Sequence, residues 1–273
     1  MRLCRFGEDR LGLVTNENTV RDVTAALDVL PSWRYPLPSF DPLIAHLDRV
    51  SARVREIAPQ SPDQPLDHNV LLSPIANPGK IIAAPVNYQK HLDEVRGDAQ
   101  LHHGNQAHMA PIHTMGLFLK ASSSLVGPSQ GIRVRMPDRR TDHEVELAVI
   151  IGKQAKHLTE ENAFSCVFGY TIGNDVSARE VQRNHGQWFK GKSYDKASPM
   201  GPWLVTADEV PADTQMDNLK AMVDVVVLVS VASCLNSALY TASRMLYSHS
   251  RSRPQCARSW FRRSVCPHRV PNG

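Results

Sequence analysis

The stretch Asp142-His143-Glu144-Val145-Glu146-Leu147-Ala148-Val149-Ile150-Ile151-Gly152 has the pattern of a β-strand that carries two carboxylates. Strand side chains alternate between two faces, so Glu144 and Glu146 share one face, while Val145 and Leu147 are predicted to point the other way into apolar packing. Two neighbouring carboxylates raise each other's pKa unless a cation lies between them. The stretch therefore predicts either a metal site or the solvated polar face of an edge strand.

All-oxygen ligation favours a hard ion, so the expected cofactor is Mg²⁺, with Mn²⁺ or Ca²⁺ as alternatives. Asp175 is a candidate third ligand, because it directly follows a strand predicted to begin near Gly169 and precedes a predicted helix. Ser177 and Glu180, at the start of that helix, have the spacing of a capping box. Residues 159–168 predict a further helix, with Thr159 as its cap.

The composition is that of a globular chain with an uneven charge distribution. The chain has 273 residues, of which 42% are hydrophobic, enough for one large or two modest domains. It has no long apolar run, no signal-peptide core at its start and no C-x-x-C pair among its five cysteines, which predicts a cytoplasmic protein with no membrane partner. The formal charge is +4, but residues 221–273 hold seven arginines against one acid, so the basic character belongs to this segment.

The first part of the chain has a pattern of short elements. Residues 2–14 predict two strands joined by a tight turn, and residues 19–30 begin extended and end as a short helix. Residues 41–57 place apolar side chains at spacings of three and four, which predicts an amphipathic helix. Prolines are frequent between residues 58 and 79, which indicates a linker. These features predict a small N-terminal α+β domain over residues 1–75.

A candidate general base follows the apolar strand predicted at residues 80–84. If His91 lies at the start of a helix, Glu94 is close enough to accept a hydrogen bond from the imidazole and orient it. The alternative is a surface histidine and glutamate on an ordinary helix. Residues 96–115 are polar and rich in histidine, and they are predicted to form a lid or a disordered insertion.

The order of these motifs resembles that of the fumarylacetoacetate hydrolase family. The matching motifs run from about residue 79 to about residue 220, and they are His91 with Glu94, Phe118-x-Lys120, Glu144-x-Glu146-Leu-Ala, Asn174-Asp175-x-Ser-Ala-Arg179, Lys192-Ser-x-Asp and Gly201-Pro202-Trp. Each motif is short, so the resemblance depends on their common order. It implies a β-rich α+β fold, an FAH-like mixed β-sheet roll with a small N-terminal domain, and a homodimer.

The resemblance also implies a role for each matching residue. It places the catalytic domain at residues 79–222 and implies that the divalent-metal ligands are Glu144, Glu146 and Asp175. His91 and Glu94 match the pair that activates water, and Lys192 is the third implied catalytic residue. The implied substrate-binding residues are Lys120, Arg179 and Tyr88.

The implied reaction is hydrolysis of a C–C bond in a small-molecule 2-oxo or 1,3-diketo acid of the fumarylacetoacetate or acylpyruvate type. The metal would polarise the substrate and stabilise a developing enolate, while water activated by His91 and Glu94 attacks the distal carbonyl. The expected context is the catabolism of aromatic compounds. Decarboxylation of oxaloacetate and isomerisation of hydroxymuconate-type diacids are alternatives, because other family members catalyse them.

Residues 223–273 depart from the family pattern and are predicted to form an atypical tail rich in serine, arginine and cysteine. The change near residues 222–226 indicates a shifted reading frame or a mispredicted exon. A catalytically defective, metal-binding family member is therefore an alternative of another class. A basic nucleic-acid arm would use the arginines with Trp260 and Phe261, but no RNA-binding motif accompanies them, so no nucleic-acid partner is expected.

Overall fold

The structure is a computed structural model that describes residues 1–85, 93, 97, 116–159, 162–210 and 225–229. Three of the predicted site residues lie outside the described residues, namely Tyr88, His91 and Glu94. Apart from residue 97, the histidine-rich segment 96–115 lies outside them as well. None of the helices in the described ranges has both the length and the apolar character that are needed to cross a bilayer.

Most of the regular structure is β-strand, which confirms the predicted β-rich α+β class. The strands in the described ranges are β1 (Arg2–Phe6), β2 (Arg10–Asn16), β3 (Thr19–Asp22), β4 (Asp63–Pro65), β5 (Leu71–Leu72), β6 (Lys80–Ala83), β7 (Phe118–Lys120), β8 (Leu125–Val126), β9 (Thr141–Asp142), β10 (Val145–Ile151), β11 (Val167–Asn174), β12 (Ser177–Ala178), β13 (Ser198–Thr206) and β14 (Val225–Val229). The α-helices in the same ranges are α1 (Pro42–Ala45), α2 (Leu47–Ile57), α3 (Arg179–His185) and α4 (Phe189–Lys192).

Within the described ranges, twelve of the strands form one mixed sheet. Its main order is β4-β3-β2-β1-β13-β11-β10-β14-β6-β7, with β5 beside β1 and β8 beside β13, while β9 and β12 form a separate pair. Most neighbours are antiparallel, but β14 runs parallel to β10 and β8 runs parallel to β13. The first residue of β10, Val145, lies opposite the last residue of β11, Asn174, so the motifs around both meet at one end of the sheet.

The first three strands confirm the predicted hairpin and the extended segment after it. β1 and β2 pair as antiparallel strands across a turn in which Gly7 and Asp9 have φ values of 57° and 58°. β3 is followed by a 3-10 helix at Thr24–Val29. β1 also pairs with β13, with Leu3 opposite Leu204, so the start of the chain belongs to the same sheet as the later strands.

One hydrophobic core joins the early and the later elements. Its buried members include Leu3, Leu11, Ile44, Val50, Ile81, Ala148, Ile150 and Leu204. Residues 1–75, the predicted N-terminal domain, therefore share a sheet and a core with the segment that carries the candidate site. The division into domains stays a prediction.

The amphipathic segment at residues 41–57 forms two helices, because the chain leaves the helical conformation at His46 (φ −119°, ψ 24°). Asp41 caps α1 by accepting a hydrogen bond from the amide of Ile44 at 3.1 Å. The apolar face of α2 is buried as predicted, through Leu47, Val50 and Val54.

The helix predicted over residues 159–168 is wrong for the described residues of that segment. They contain a 3-10 helix at Ala163–Cys166, and β11 begins directly after it. The amide of Thr159 donates to Asn162 Oδ1 at 2.7 Å. Val167 pairs with Ile151, so pairing with β10 decides the conformation at the end of this segment.

β14 lies inside the segment 223–273 that the sequence assigns to an atypical tail. Its backbone pairs with β10 on one side and with β6 on the other, with Leu228 opposite both Ile150 and Ile81. Residues 225–229 therefore belong to the sheet. The rest of the segment lies outside the described ranges, and the boundary at residue 222 stays a prediction.

Candidate functional site

Glu144 directly precedes β10, and Glu146 is the second residue of this strand, on its core side. Glu146 is 3% exposed, although it is a carboxylate, and the same strand face carries two fully buried apolar residues, Ala148 and Ile150. The prediction that Val145 packs into an apolar environment is wrong, since this side chain is 38% exposed. The alternative of a solvated polar face is therefore wrong for Glu146.

Backbone hydrogen bonds fix Asp175 against Glu144. The amide of Asp175 donates to the carbonyl of Glu144 at 2.8 Å, and the amide of Glu144 donates to Oδ1 of Asn174 at 3.0 Å. The candidate ligand atoms of Glu144, Glu146 and Asp175 all lie within 4.8 Å of one another. The structure thus brings the three predicted metal ligands together.

The chemistry of this donor set fits a hard divalent ion. Mg²⁺, Mn²⁺ and Ca²⁺ prefer oxygen ligands at about 2.0–2.6 Å, so one ion can contact oxygens that are this close together. The described cluster contains no cysteine or histidine, which are the usual zinc ligands. The burial of Glu146 and Asp175 requires positive charge nearby, because a buried carboxylate without a partner is costly.

Lys120, at the end of β7, supplies part of this positive charge. Its Nζ lies 2.5 Å from Asp175 Oδ1 and donates to the backbone carbonyls of Lys192 and Ala197, the latter at 3.2 Å. The side chains of Lys120 and Asp175 are 1% and 0% exposed. All three ammonium protons of Lys120 therefore have acceptors inside the protein.

Lys192, the last residue of α4, bridges two of the carboxylates. Its Nζ donates to Asp175 Oδ2, to Glu144 Oε2 at 2.8 Å and to Ser177 Oγ at 2.8 Å. The predicted capping box is wrong, because Ser177 makes no cap to the helix that follows; its hydroxyl instead donates to the Asp175 carbonyl and accepts from Lys192. A serine that the sequence assigns to a helix end thus belongs to the site.

The two lysines differ in their number of carboxylate partners, and their pKa values shift in opposite directions. Burial lowers the pKa of Lys120, and its one contacting carboxylate, Asp175, does not offset this. Burial also acts to lower the pKa of Lys192, but attraction to Asp175 and Glu144 outweighs it and raises this pKa. For Asp175, burial acts to raise the pKa, but Lys192 and Lys120 outweigh it, so the pKa is lowered and the carboxylate stays charged.

Arg179, the first residue of α3, holds the outer side of the cluster. Its Nε donates to Asp142 Oδ2 at 2.7 Å, and its Nη2 forms an ion pair with Glu144 Oε1. Burial acts to lower the pKa of Arg179, but Glu144 and Asp142 outweigh it and raise this pKa. The predicted Arg179 thus lies at the carboxylate cluster.

Two aromatic rings lie beside the ammonium group of Lys192. Its Nζ is 4.9 Å from the centroid of Phe118 and 5.9 Å from that of Trp188, and the two rings meet edge to face at 5.2 Å. These distances are within the range of cation–π attraction. We refer to Phe118 and Trp188 as the aromatic pair.

Sequence reasoning missed Asp142 and Trp188 as members of the site, although each had a signal. Asp142 lies two residues before Glu144, the same spacing that separates Glu144 from Glu146. Trp188 precedes Lys192 by one helical turn, and the amide of Lys192 donates to the Trp188 carbonyl at 3.2 Å. The predicted Tyr88, His91 and Glu94 lie outside the described residues.

Comparisons with known proteins agree with this fold. Residues 80–254, more than half of the chain, match the family described as fumarylacetoacetate (FAA) hydrolase C-terminal. A maleylpyruvate hydrolase of Aquipseudomonas alcaligenes is 48% identical over 218 residues, which cover 79% of this chain and 74% of that protein. A mitochondrial oxaloacetate tautomerase of Xenopus laevis is 38% identical over 185 residues, which cover 64% of this chain and 54% of that protein.

A solved structure is also similar to this chain. The maleylpyruvate hydrolase from Sphingobium sp. SYK-6 in complex with manganese(II) ion and pyruvate has a TM-score of 0.58 and 33% identity, covering 78% of this chain and 69% of that chain. Fold and carboxylate site together define a metal-dependent hydrolase. The chain belongs to the fumarylacetoacetate hydrolase family, which confirms the resemblance and the FAH-like fold predicted from the sequence.

Proposed function

We propose that this chain hydrolyses a C–C bond in an acylpyruvate-type substrate, a small 2-oxo or 1,3-diketo acid. The observation that carries the proposal is the buried cluster of Glu144, Glu146 and Asp175, whose ligand atoms lie within 4.8 Å of one another. The reaction class is supported by the 48% identical maleylpyruvate hydrolase and by the similar structure that contains manganese(II) and pyruvate.

The three carboxylates of this cluster are the proposed ligands of one divalent ion. When bound, the ion would supply Lewis-acid stabilisation of the negative charge that develops on the substrate. The first candidates are Mg²⁺, which the sequence predicts, and Mn²⁺, which the similar structure contains.

The proposed proton acceptor is His91. Glu94 would orient the imidazole, and His91 would remove a proton from the attacking water. Tyr88 is a proposed substrate-binding residue. This part of the proposal depends on the sequence motif.

The described cations have different proposed roles. Lys192 touches two of the ligand carboxylates and is the proposed catalytic cation beside the substrate oxyanion. Arg179, with a side chain 24% exposed, is proposed to bind substrate at the rim of the site. Lys120, for which the resemblance implies substrate binding, is instead proposed as a positioning residue for Asp175, because its ammonium group already contacts this carboxylate and two backbone carbonyls.

The charge balance of the site favours a substrate with two negative charges. Among the described residues, the three proposed ligands face three cations, Lys120, Lys192 and Arg179. A second acid beside Arg179, Asp142, is matched by Arg140. When only these described groups are counted, a divalent ion would leave an excess of two positive charges, which a dicarboxylate substrate of the maleylpyruvate type would offset.

A comparison of acylpyruvates tests this proposal. The purified chain with Mn²⁺ or Mg²⁺ would receive maleylpyruvate, fumarylpyruvate or acetylpyruvate, and the released pyruvate would be measured with lactate dehydrogenase. We expect metal-dependent pyruvate release, with kcat/KM at least about tenfold higher for the two dicarboxylates than for acetylpyruvate. The absence of pyruvate release from all three substrates with both metals would overturn the proposal.

Isomerisation of an oxaloacetate-type acid is the second candidate function, supported by the 38% identical oxaloacetate tautomerase. It requires binding of a 2-oxo acid and proton transfer, but no attack by water. Enol–keto conversion of oxaloacetate, without pyruvate release from acylpyruvates, would favour it. Release of CO₂ from oxaloacetate would favour the decarboxylase alternative.

We also propose a homodimer in the cytoplasm that acts in the catabolism of aromatic compounds, as the sequence predicts. Light scattering of the purified chain tests the oligomeric state. Stabilisation by Mn²⁺ without turnover of any of these substrates would favour the alternative of a catalytically defective family member.

A further inference from the structure

Three cations contact the carboxylate oxygens of Glu144 and Asp175. Lys120 contacts Oδ1 of Asp175, and Arg179 contacts Oε1 of Glu144. Among the described residues, the second oxygen of each carboxylate, Oδ2 and Oε2, is contacted by the Nζ of Lys192. We call Oδ1 and Oε1 the outer oxygens, and Oδ2 and Oε2 the inner oxygens.

A divalent ion that both carboxylates ligate through their inner oxygens would compete with this ammonium group. Such an ion needs carboxylate oxygens at about 2.0–2.6 Å. The ammonium nitrogen lies 2.8 Å from Glu144 Oε2 and hydrogen-bonds Asp175 Oδ2, so it uses the same inner oxygens. The two positive charges would also repel each other strongly in a buried site, where Lys192 is 3% and Asp175 0% exposed.

The ammonium group of Lys192 has a second set of contacts that no metal ligand provides. Ser177 Oγ lies 2.8 Å from Nζ, and the rings of Phe118 and Trp188 lie 4.9 Å and 5.9 Å away. These groups can hold an ammonium ion after it loses a carboxylate contact, because hydroxyl and π contacts both stabilise positive charge. Among the described residues, the acceptors of Lys120 are instead a carboxylate and two backbone carbonyls.

We propose that Lys192 is a placeholder cation: its ammonium group neutralises Glu144 and Asp175 until a divalent ion displaces it from Glu144 Oε2 towards Ser177 and the aromatic pair. Phe118 and Trp188 are then positioning residues for Lys192. This inference depends on the proposed function only in taking Glu144 and Asp175 as metal ligands. It does not depend on the substrate or the reaction.

The direct test is a pair of crystal structures of the full chain, one grown with EDTA and one with Mn²⁺. We expect the distance from Lys192 Nζ to Glu144 Oε2 to increase from 2.8 Å to beyond hydrogen-bonding range with Mn²⁺, while Lys120 and Arg179 keep the outer oxygens. A Mn²⁺ complex in which Lys192 keeps its contact with Glu144 Oε2 would overturn the proposal.

Metal affinity provides a second test, measured by isothermal titration calorimetry with Mn²⁺. In Lys192→Met, the ion no longer has to displace an ammonium group, so we expect the affinity to rise at least about tenfold, which is about 1.4 kcal/mol. Lys190→Met is the matched control on the same helix, because Lys190 is exposed, and its affinity should not change. An unchanged or lower affinity in Lys192→Met would overturn the proposal.

The aromatic pair is tested at Trp188. Loss of one cation–π contact in Trp188→Leu should lower the Mn²⁺ affinity about threefold, and Trp188→Phe, which keeps a ring, should restore most of it. Equal affinities for Trp188→Leu and the unchanged chain would overturn the role of the aromatic pair. None of these measurements uses turnover, so a chain that binds Mn²⁺ as described but releases no pyruvate would refute the proposed function and leave this inference supported.

Discussion

Replacement of Lys120 by Met tests the buried charge network most directly. Methionine keeps much of the side-chain length and removes the charge, so Asp175 Oδ1 and the carbonyls of Lys192 and Ala197 lose a common donor. The side chains of Lys120 and Asp175 are 1% and 0% exposed, so water cannot replace the donor without a rearrangement. Removal of one partner from a buried ion pair typically costs about 3–5 kcal/mol, and we expect a loss of unfolding free energy in this range.

Urea unfolding at neutral pH in the presence of EDTA would measure this loss. Lys190→Met makes the same chemical change at an exposed position and should alter the unfolding free energy by less than about 0.5 kcal/mol. The double variant Lys120→Met/Asp175→Asn removes both charges, so its loss should be smaller than the sum of the two single losses. A loss below about 1 kcal/mol in Lys120→Met, or full additivity in the double variant, would refute the buried pair.

Three further predictions concern acid stability, helix packing and metal ligation. The folded pKa of Asp175 lies below its ordinary value of 3.8, so its contribution to stability is present above pH 3.8 and is lost as the pH falls through the folded pKa. Urea unfolding at a series of acidic pH values should show this loss. In Asp175→Asn, the unfolding free energy should depend less steeply on pH. A Cβ on Gly191 would lie 2.5 Å from the amide nitrogen of Gln182, so Gly191→Ala should lower the unfolding free energy by about 1–3 kcal/mol. Gly173→Ala is the control that should be tolerated, because its Cβ would have its nearest neighbour at 3.7 Å. Equal losses of unfolding free energy in the two variants would contradict this packing. Glu146→Ala should lower the Mn²⁺ affinity at least about tenfold in calorimetry and abolish metal-dependent turnover, and unchanged values would show that Glu146 is not a ligand.

The sequence predicted those parts of the fold that depend on short-range patterns. The hairpin of β1 and β2 and the apolar face of α2 follow from alternation and helical periodicity, which local side-chain chemistry determines. The proximity of Glu144 and Asp175 was predicted from the order of the family motifs. No short-range sequence pattern requires these two residues to lie close together. The structure adds the backbone hydrogen bonds that bring them together.

The remaining features could not be read from local patterns because distant residues decide them. Val145 was predicted to be buried, but the carboxylate face of β10 is buried instead. Cations from other segments make this favourable, since Lys192 contacts Glu144 and Lys120 attracts Glu146. Ser177 has the spacing of a helix cap, but its hydroxyl accepts a hydrogen bond from the ammonium group of Lys192 instead. In both cases a buried charge outweighs a local propensity, which a single-residue pattern does not show.

We expect the position of β14 to affect the order in which the site assembles during folding. In the described sheet, the hydrogen-bonded path from β10, which carries Glu146, to β7, which carries Lys120, passes through β14 and β6. Both flanking strands are synthesised well before β14 and pair with it over a long sequence separation, a kind of contact that forms slowly because much chain entropy is lost first. During synthesis, we therefore expect β10, which carries Glu146, and the pair of β6 and β7, which carries Lys120, to remain separate sheet edges. Residues 225–229 would then pair with both edges and set the register between them.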